Sequence, residues 1–175
     1  VSSFAISNYP NITKVTIADL NEGNEKEFSN QIDVRFTGLG LDVTDKEHLE
    51  KVMSGHDIVL NTTGPFFKFG LPILKSAIKC KCHYFDICDD WEPTEEMLKL
   101  NDEALKNEST AIVGLGASPG ISNLLGLKAM NELDKTESII TGWDVSSAKP
   151  EDESSQKGTN AAMEHGLQQI SGEIK

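Results

Sequence analysis

Residues able to do chemistry gather in this sequence wherever an apolar run stops. Asp19 ends the run at residues 14–19, and Asp42-Val43 follow the run at 34–41. Asn61-Thr62-Thr63-Gly64-Pro65-Phe66-Phe67 closes the run at 56–61 and continues past it. Asp86 sits inside the run at 83–87, with Asp89 and Asp90 just beyond. Gly114-Leu115-Gly116-Ala117-Ser118-Pro119-Gly120 follows the run at 110–114. An acid just past a strand accepts hydrogen bonds from ribose hydroxyls and repels a 2′-phosphate. An acid beside a small apolar residue, as at Asp42-Val43, can flank an adenine. Gly64 lets backbone approach a ligand closely and Pro65 stiffens the turn, so the 61–65 stretch suits a pyrophosphate and its neighbouring ribose. A glycine-rich turn feeding a helix offers free N–H groups and a positive dipole end to a carboxamide, a phosphate or a carboxylate.

Each stretch also has a plain structural reading. Asp19 serves equally as a solvated acid in a strand-to-helix turn, and Asp42 as an acid ahead of a helix cap. The 61–67 stretch serves as a tight turn with core-facing phenylalanines, and Asp90 as a cap beside a core Trp91. Asp86 is different, because an unpaired carboxylate in an apolar strand is costly. It is expected to be hydrogen-bonded or to have a raised pKa. Asp86, Asp89 and Asp90 are the acid–base candidates. Cys80, Cys82, His83 and Cys88 lack the second ligand pair that zinc knuckles use, so no metal is expected. His165 falls in an expected helix and could act in a second domain.

The elements that must position these residues alternate between strand and helix, which predicts a parallel sheet with crossover helices. Strands are expected at 14–19, 34–41, 56–61 (buried in its middle), 83–87, 110–114 and 138–145. Helices are expected at 1–7, 21–30, 71–79, 93–106 and 161–175. In the 71–79 helix, Ile73, Leu74, Ala77 and Ile78 face inward. Thr44 and Glu47 fit a capping box ahead of Leu49, Val52 and Met53. Ser118 and Pro119 read as the cap and first position of a helix through Leu133 whose apolar surroundings predict burial. Residues 149–160 are polar and read as a loop.

With 175 residues the chain can hold one full domain and the start of a second. The net charge of -12 and the lack of a Lys/Arg cluster argue against nucleic acid. No apolar run approaches the ~18 residues of a membrane span and no signal peptide opens the chain. Three cysteines within nine positions do not make a disulfide framework, so a cytoplasmic, reducing compartment is expected.

Three stretches together, 61–66 with Gly70, His83 through Pro93, and Gly114 through Ile121, resemble the saccharopine dehydrogenase family. Residues 15–19 and 42–45 fall where that family places its adenosine contacts. The resemblance implies a Rossmann-like doubly wound parallel sheet missing its first strand, with the start of a second α/β domain at the C-terminus. The boundary is expected near residue 135, with residues 136–175 beginning the substrate and dimerisation domain. The family's glycine-rich loop is absent here, so the chain is expected to be a fragment, inactive alone, of a homodimeric oxidoreductase. The implied reaction is hydride transfer between NAD(P) and the C–N bond of an amino-acid derivative of saccharopine or lysine type. Asp19, with nothing basic before Lys26, favours NAD over NADP. Cofactor contacts are expected from Asp19, Asp42, Val43, Asn61, Thr62, Thr63, Gly64 and Pro65, and contacts near the nicotinamide or substrate from Gly116, Ala117, Ser118 and Gly120. A cofactor-sensing domain without turnover is the alternative. A methyltransferase using S-adenosylmethionine fits less well, given the 61–65 and 116–120 turns.

Overall fold

A computed structural model describes residues 2–142 of the chain. The end of the expected 138–145 strand, the 149–160 loop and the 161–175 helix with His165 lie outside the described residues. The chain divides into two compact units, residues 1–55 and 56–175. All strand pairs are parallel and alternate with helices, which is the Rossmann-like α/β class expected.

The first unit holds α1 (Ser2–Ser7), β1 (Val15–Asp19), α2 (Glu22–Asn30), β2 (Phe36–Gly40) and α3 (Lys46–Met53). β1 pairs with β2 in a register that sets Asp19 opposite Gly40, and the Leu41 N–H extends the ladder to the Asp19 carbonyl at 2.7 Å. Two residues organise this unit. Gly38 lets α2 lie against the strand: a Cβ there would stand 2.3 Å from the Glu25 carbonyl carbon and 2.4 Å from the Lys26 nitrogen. Arg35, the only arginine in the sequence, gathers the chain ahead of β1. Its guanidinium donates to the carbonyls of Ser7 (2.6 Å), Tyr9 (2.9 Å) and Ile12 (2.8 Å) and pairs with the Asp33 carboxylate at 2.6 Å. A planar five-donor fork suits this many-partner task, which a lysine could not perform. Edge-on packing of Phe4 against Phe28, ring centroids 5.7 Å apart, fastens α1 to α2.

The α3 cap differs from expectation. Asp45, not Thr44, is the N-cap, and its carboxylate accepts the His48 N–H at 3.1 Å. Thr44 is occupied instead with Asp42, to which its N–H (2.8 Å) and hydroxyl (2.7 Å) both donate.

The second unit holds β3 (Ile58–Asn61), α4 (Phe66–Lys79), β4 (His83–Asp86), α5 (Trp91–Leu98), α6 (Asn101–Lys106), β5 (Ala111–Ile112) and α7 (Ile121–Asn131). Its sheet runs β3-β4-β5. Side chains alternate between the two faces of a strand. One face carries Cys82, Tyr84 and Asp86, all fully buried, with Asn61 in register beside Asp86. α4 packs against β3 and β4 and buries Ile73, Leu74, Ala77 and Ile78, the inward face read from the sequence. The other face is open: Ile58 is 56% exposed and Leu60 45%. The expected burial of this strand's middle is therefore wrong, because β3 bonds to β4 alone among the described residues and no described helix covers that face.

Four further expectations need correction. α4 begins at Phe66, so the paired phenylalanines open a helix rather than complete a turn. The helix expected at 93–106 is two, separated where the Leu100 N–H takes the Met97 carbonyl in a tighter i to i+3 turn. α7 is capped by Gly120, not by Ser118 and Pro119, and none of its residues is buried. Its leucines 124, 125 and 127 lie 66%, 62% and 54% exposed, because no described element packs extensively against this helix. Residues 138–142 form no strand.

Two stability predictions follow from the first unit. Gly38→Ala should cost about 1–3 kcal/mol by forcing α2 off the strand, visible as a lower Tm; an unchanged Tm would show that α2 gives way freely. Arg35 holds the Asp33 carboxyl at about 2, below its ordinary 3.8. A lowered carboxyl stabilises the fold fully above pH 3.8 and loses that contribution as pH falls toward 2. Asp33→Asn should thus lower Tm at neutral pH, and the gap from wild type should close across that acid window; a gap constant with pH would contradict it.

Candidate functional site

A parallel sheet presents ligands to the carboxyl ends of its strands, so the turns after those strands define the candidate site. In the first unit, Asp19 and Asp42 stand at the ends of neighbouring strands, both exposed. One Asp19 oxygen accepts the Asn21 N–H at 3.1 Å, which sets the carboxylate across the turn. The two bonds from Thr44 hold the Asp42 carboxyl below the usual carboxylate range, so it stays an acceptor. Val43 is half-buried beside it. Two fixed, accessible carboxylates on adjacent strand ends fit ribose hydroxyls.

In the second unit the three turns hang on one buried polar chain. The Thr63 N–H donates to Asn61 Oδ1 at 2.9 Å, and Asn61 Nδ2 donates to Tyr84 Oη at 2.9 Å. The Tyr84 hydroxyl donates to Asp86 Oδ2 at 2.8 Å. Asp86 Oδ1 accepts the N–H groups of Cys88 (3.0 Å) and Gly114 (2.8 Å). Asp86 is fully buried, and these three donors meet the requirement that the sequence imposed on a carboxylate in this strand. Burial, reinforced by the Asp86 charge, pushes the Tyr84 hydroxyl far above its ordinary range. It is thereby held as a protonated donor. Tyr84 has no place among the residues picked from the sequence. Its i, i+2 spacing from Asp86 was the available signal, since that spacing puts both on one face.

Beyond Asp86 a cleft of about 990 Å³ opens between the turn after β4 and the turn before α7. Asp89, Asp90, Ala117 and Ser118 line it, so four residues picked from the sequence meet there. Trp91, Thr94, Ser122 and Asn123 line it as well and were missed. Trp91 is 58% exposed, which removes the core reading of that residue. Thr94 donates to the Asp90 carbonyl at 2.7 Å, fixing the first turn of α5 to the acid ahead of it. Cys88 lines the cleft too, although almost wholly buried, and burial pushes its thiol up. Gly116 and Gly120 do not line the cleft. They shape its wall: Gly120 has φ of +120°, and a Cβ there would fall 2.1 Å from the Gly116 carbonyl oxygen. Asn61 and Pro65 are buried at the β3 turn, with Thr62 exposed and Thr63 and Gly64 half-exposed. Among the described residues, no cluster of three or more His, Cys, Asp or Glu could hold a metal, and no helix is long and apolar enough to cross a membrane.

The chain is 29% identical over 105 residues to the saccharopine dehydrogenase (NADP+, L-glutamate-forming) of Schizosaccharomyces pombe, covering 60% of this chain and 22% of that protein. It is 29% identical over 97 residues to the Saccharomyces cerevisiae protein of the same name, covering 55% and 21%. With that of Pyricularia oryzae it shares 28% over 120 residues, covering 69% and 25%. The chain thus spans a quarter or less of the length of these relatives. Residues 5–112, from α1 to the end of β5, match the saccharopine dehydrogenase NADP-binding domain, and the chain belongs to that family.

Proposed function

We propose that this chain is the dinucleotide-binding part of an oxidoreductase acting on the C–N bond of an amino-acid derivative, of saccharopine or lysine type. The observation that carries the reading is the row of polar strand ends in a chain whose residues 5–112 match this family. The bound dinucleotide would supply or accept the hydride. The chain's own residues bind and orient. Asp19 and Asp42 take the ribose hydroxyls of the adenosine half, with Val43 beside the adenine. The turn from Asn61 to Pro65 takes the pyrophosphate side. The cleft lined by Asp89, Asp90, Ala117 and Ser118 takes the reacting substrate. Of the three acids, Asp89 and Asp90 reach that cleft and are assigned proton transfer, whereas Asp86, fully buried, acts on the turns from behind.

NADP replaces NAD as the assigned cofactor. The family description and the relatives' names both carry NADP, and they outweigh the inference from Asp19. Asp19 is a single exposed carboxylate, and solvent screens its repulsion of a 2′-phosphate.

Two experiments on the natural full-length protein test this reading. Titration with reduced cofactors should give tighter binding of NADPH than of NADH, and Asp19→Ala should raise that preference by removing repulsion from the 2′-phosphate alone. A preference for NADH would overturn the cofactor, and equal effects on both would remove Asp19 from the ribose. Asp90→Asn and Asp89→Asn should each be assayed for substrate-dependent NADPH formation with saccharopine and with lysine. The acid–base residue should lose 10²–10⁴-fold in kcat, roughly the value of a positioned proton carrier. Full activity in both variants would place proton transfer elsewhere.

A further inference from the structure

The polar chain under the strand ends links two turns with different tasks in the proposed reading. Asn61 ends β3 and Thr63 lies in the turn after it, and Cys88 and Gly114 belong to the two turns that bound the cleft. Besides the backbone ladder of β3 and β4, the side-chain link between them is one hydroxyl. Asn61 is 3% exposed, and Tyr84 and Asp86 are fully buried, so no solvent stands ready to replace it. Asp86 uses its two oxygens differently: Oδ1 holds the Cys88 and Gly114 N–H groups, and Oδ2 takes only the Tyr84 hydroxyl among the bonds described. Asn61 is divided likewise, with Oδ1 on the Thr63 N–H and Nδ2 on Tyr84.

We propose that Tyr84 is a positioning residue for the dinucleotide: its hydroxyl anchors Asn61 to Asp86, so that Asn61 holds the Thr63 backbone where the cofactor's pyrophosphate side is bound. The inference rests on the proposed cofactor site. It carries a directional consequence. Without the hydroxyl, the Asn61 amide loses its anchor and the 61–65 turn loosens. The turns at 88 and 114 keep their hold, because both bonds to Asp86 Oδ1 remain. The ring itself still fills the core, so the fold survives the loss of one oxygen.

The test is Tyr84→Phe in the natural full-length protein, read by three measurements. NADPH affinity, followed by cofactor fluorescence, should weaken about tenfold. The KM of the amino-acid substrate should stay within about twofold of wild type. Hydrogen exchange, measured without cofactor, should speed up across 61–65 and stay unchanged across 86–90. A variant with unchanged NADPH affinity and unchanged exchange at 61–65 overturns the proposal. Equal weakening of both substrates, with faster exchange in both segments, also overturns it, since that is the signature of general loosening. Faster exchange confined to 61–65 in a protein that binds no dinucleotide even as wild type would sink the cofactor reading and with it the positioning role, while leaving the hydrogen-bond link intact.

Discussion

A carboxylate with no access to water has to be met by donors, and in this chain that requirement is concentrated at Asp86. Its strand is apolar and its face of the sheet is buried, so every lone pair left unmet would weigh against the fold. The solution draws donors from the next turn (Cys88), from the turn after β5 (Gly114), and from a tyrosine two residues back on the same strand. The Leu115 N–H also takes the Asp86 carbonyl at 2.7 Å, so both the side chain and the backbone of this residue fix the glycine-rich turn. Three loops that could wander separately are thereby referred to one point. A purely apolar residue at 86 would remove the requirement and, with it, the reason for the loops to converge.

The first unit achieves order by other means. Close backbone approach at Gly38 and the many-partner guanidinium of Arg35 do there what the buried acid does in the second unit. The difference suits the surroundings. Arg35 and Asp33 keep part of their surface in water, so the charged pair is not fully stripped of hydration. At Asp86 hydration is gone, and hydrogen bonds must replace it entirely.

The two kinds of acid in the molecule follow the same logic. Asp19, Asp42 and Asp89 are exposed, each at or just past a strand end where its charge is solvated. Asp90 is 8% exposed at the cleft wall, between those extremes. Cover, not place along the strand, decides the class: Asp19 and Asp86 each end a strand, yet only Asp86 is buried. The glycines divide similarly. Gly64 belongs to the turn after β3 and has no positive φ, while Gly114 and Gly120 have positive φ that the turn's own path demands.

Much of this was legible in the sequence. Alternating apolar runs and amphipathic stretches specified a parallel α/β chain, because those periodicities follow from backbone geometry alone. The inward face of α4, the need for partners at Asp86 and the polar character of every strand end were legible for the same local reason. Family membership followed from the order of the motifs. Other features depend on what packs against what, which no local pattern encodes. Ile58 and Leu60 lie open because one face of β3 is uncovered, and α7 is exposed because no described element packs extensively against it. Asp45 displaced Thr44 as a cap because Asp42 had already taken the threonine. Tyr84 gained its place between Asn61 and Asp86 only when two strands paired in one register. The sequence by itself determined which residues are polar at the strand ends; the tertiary structure decided which of them lie open and which hold the others, because that choice is made by burial across strands and not by spacing along one.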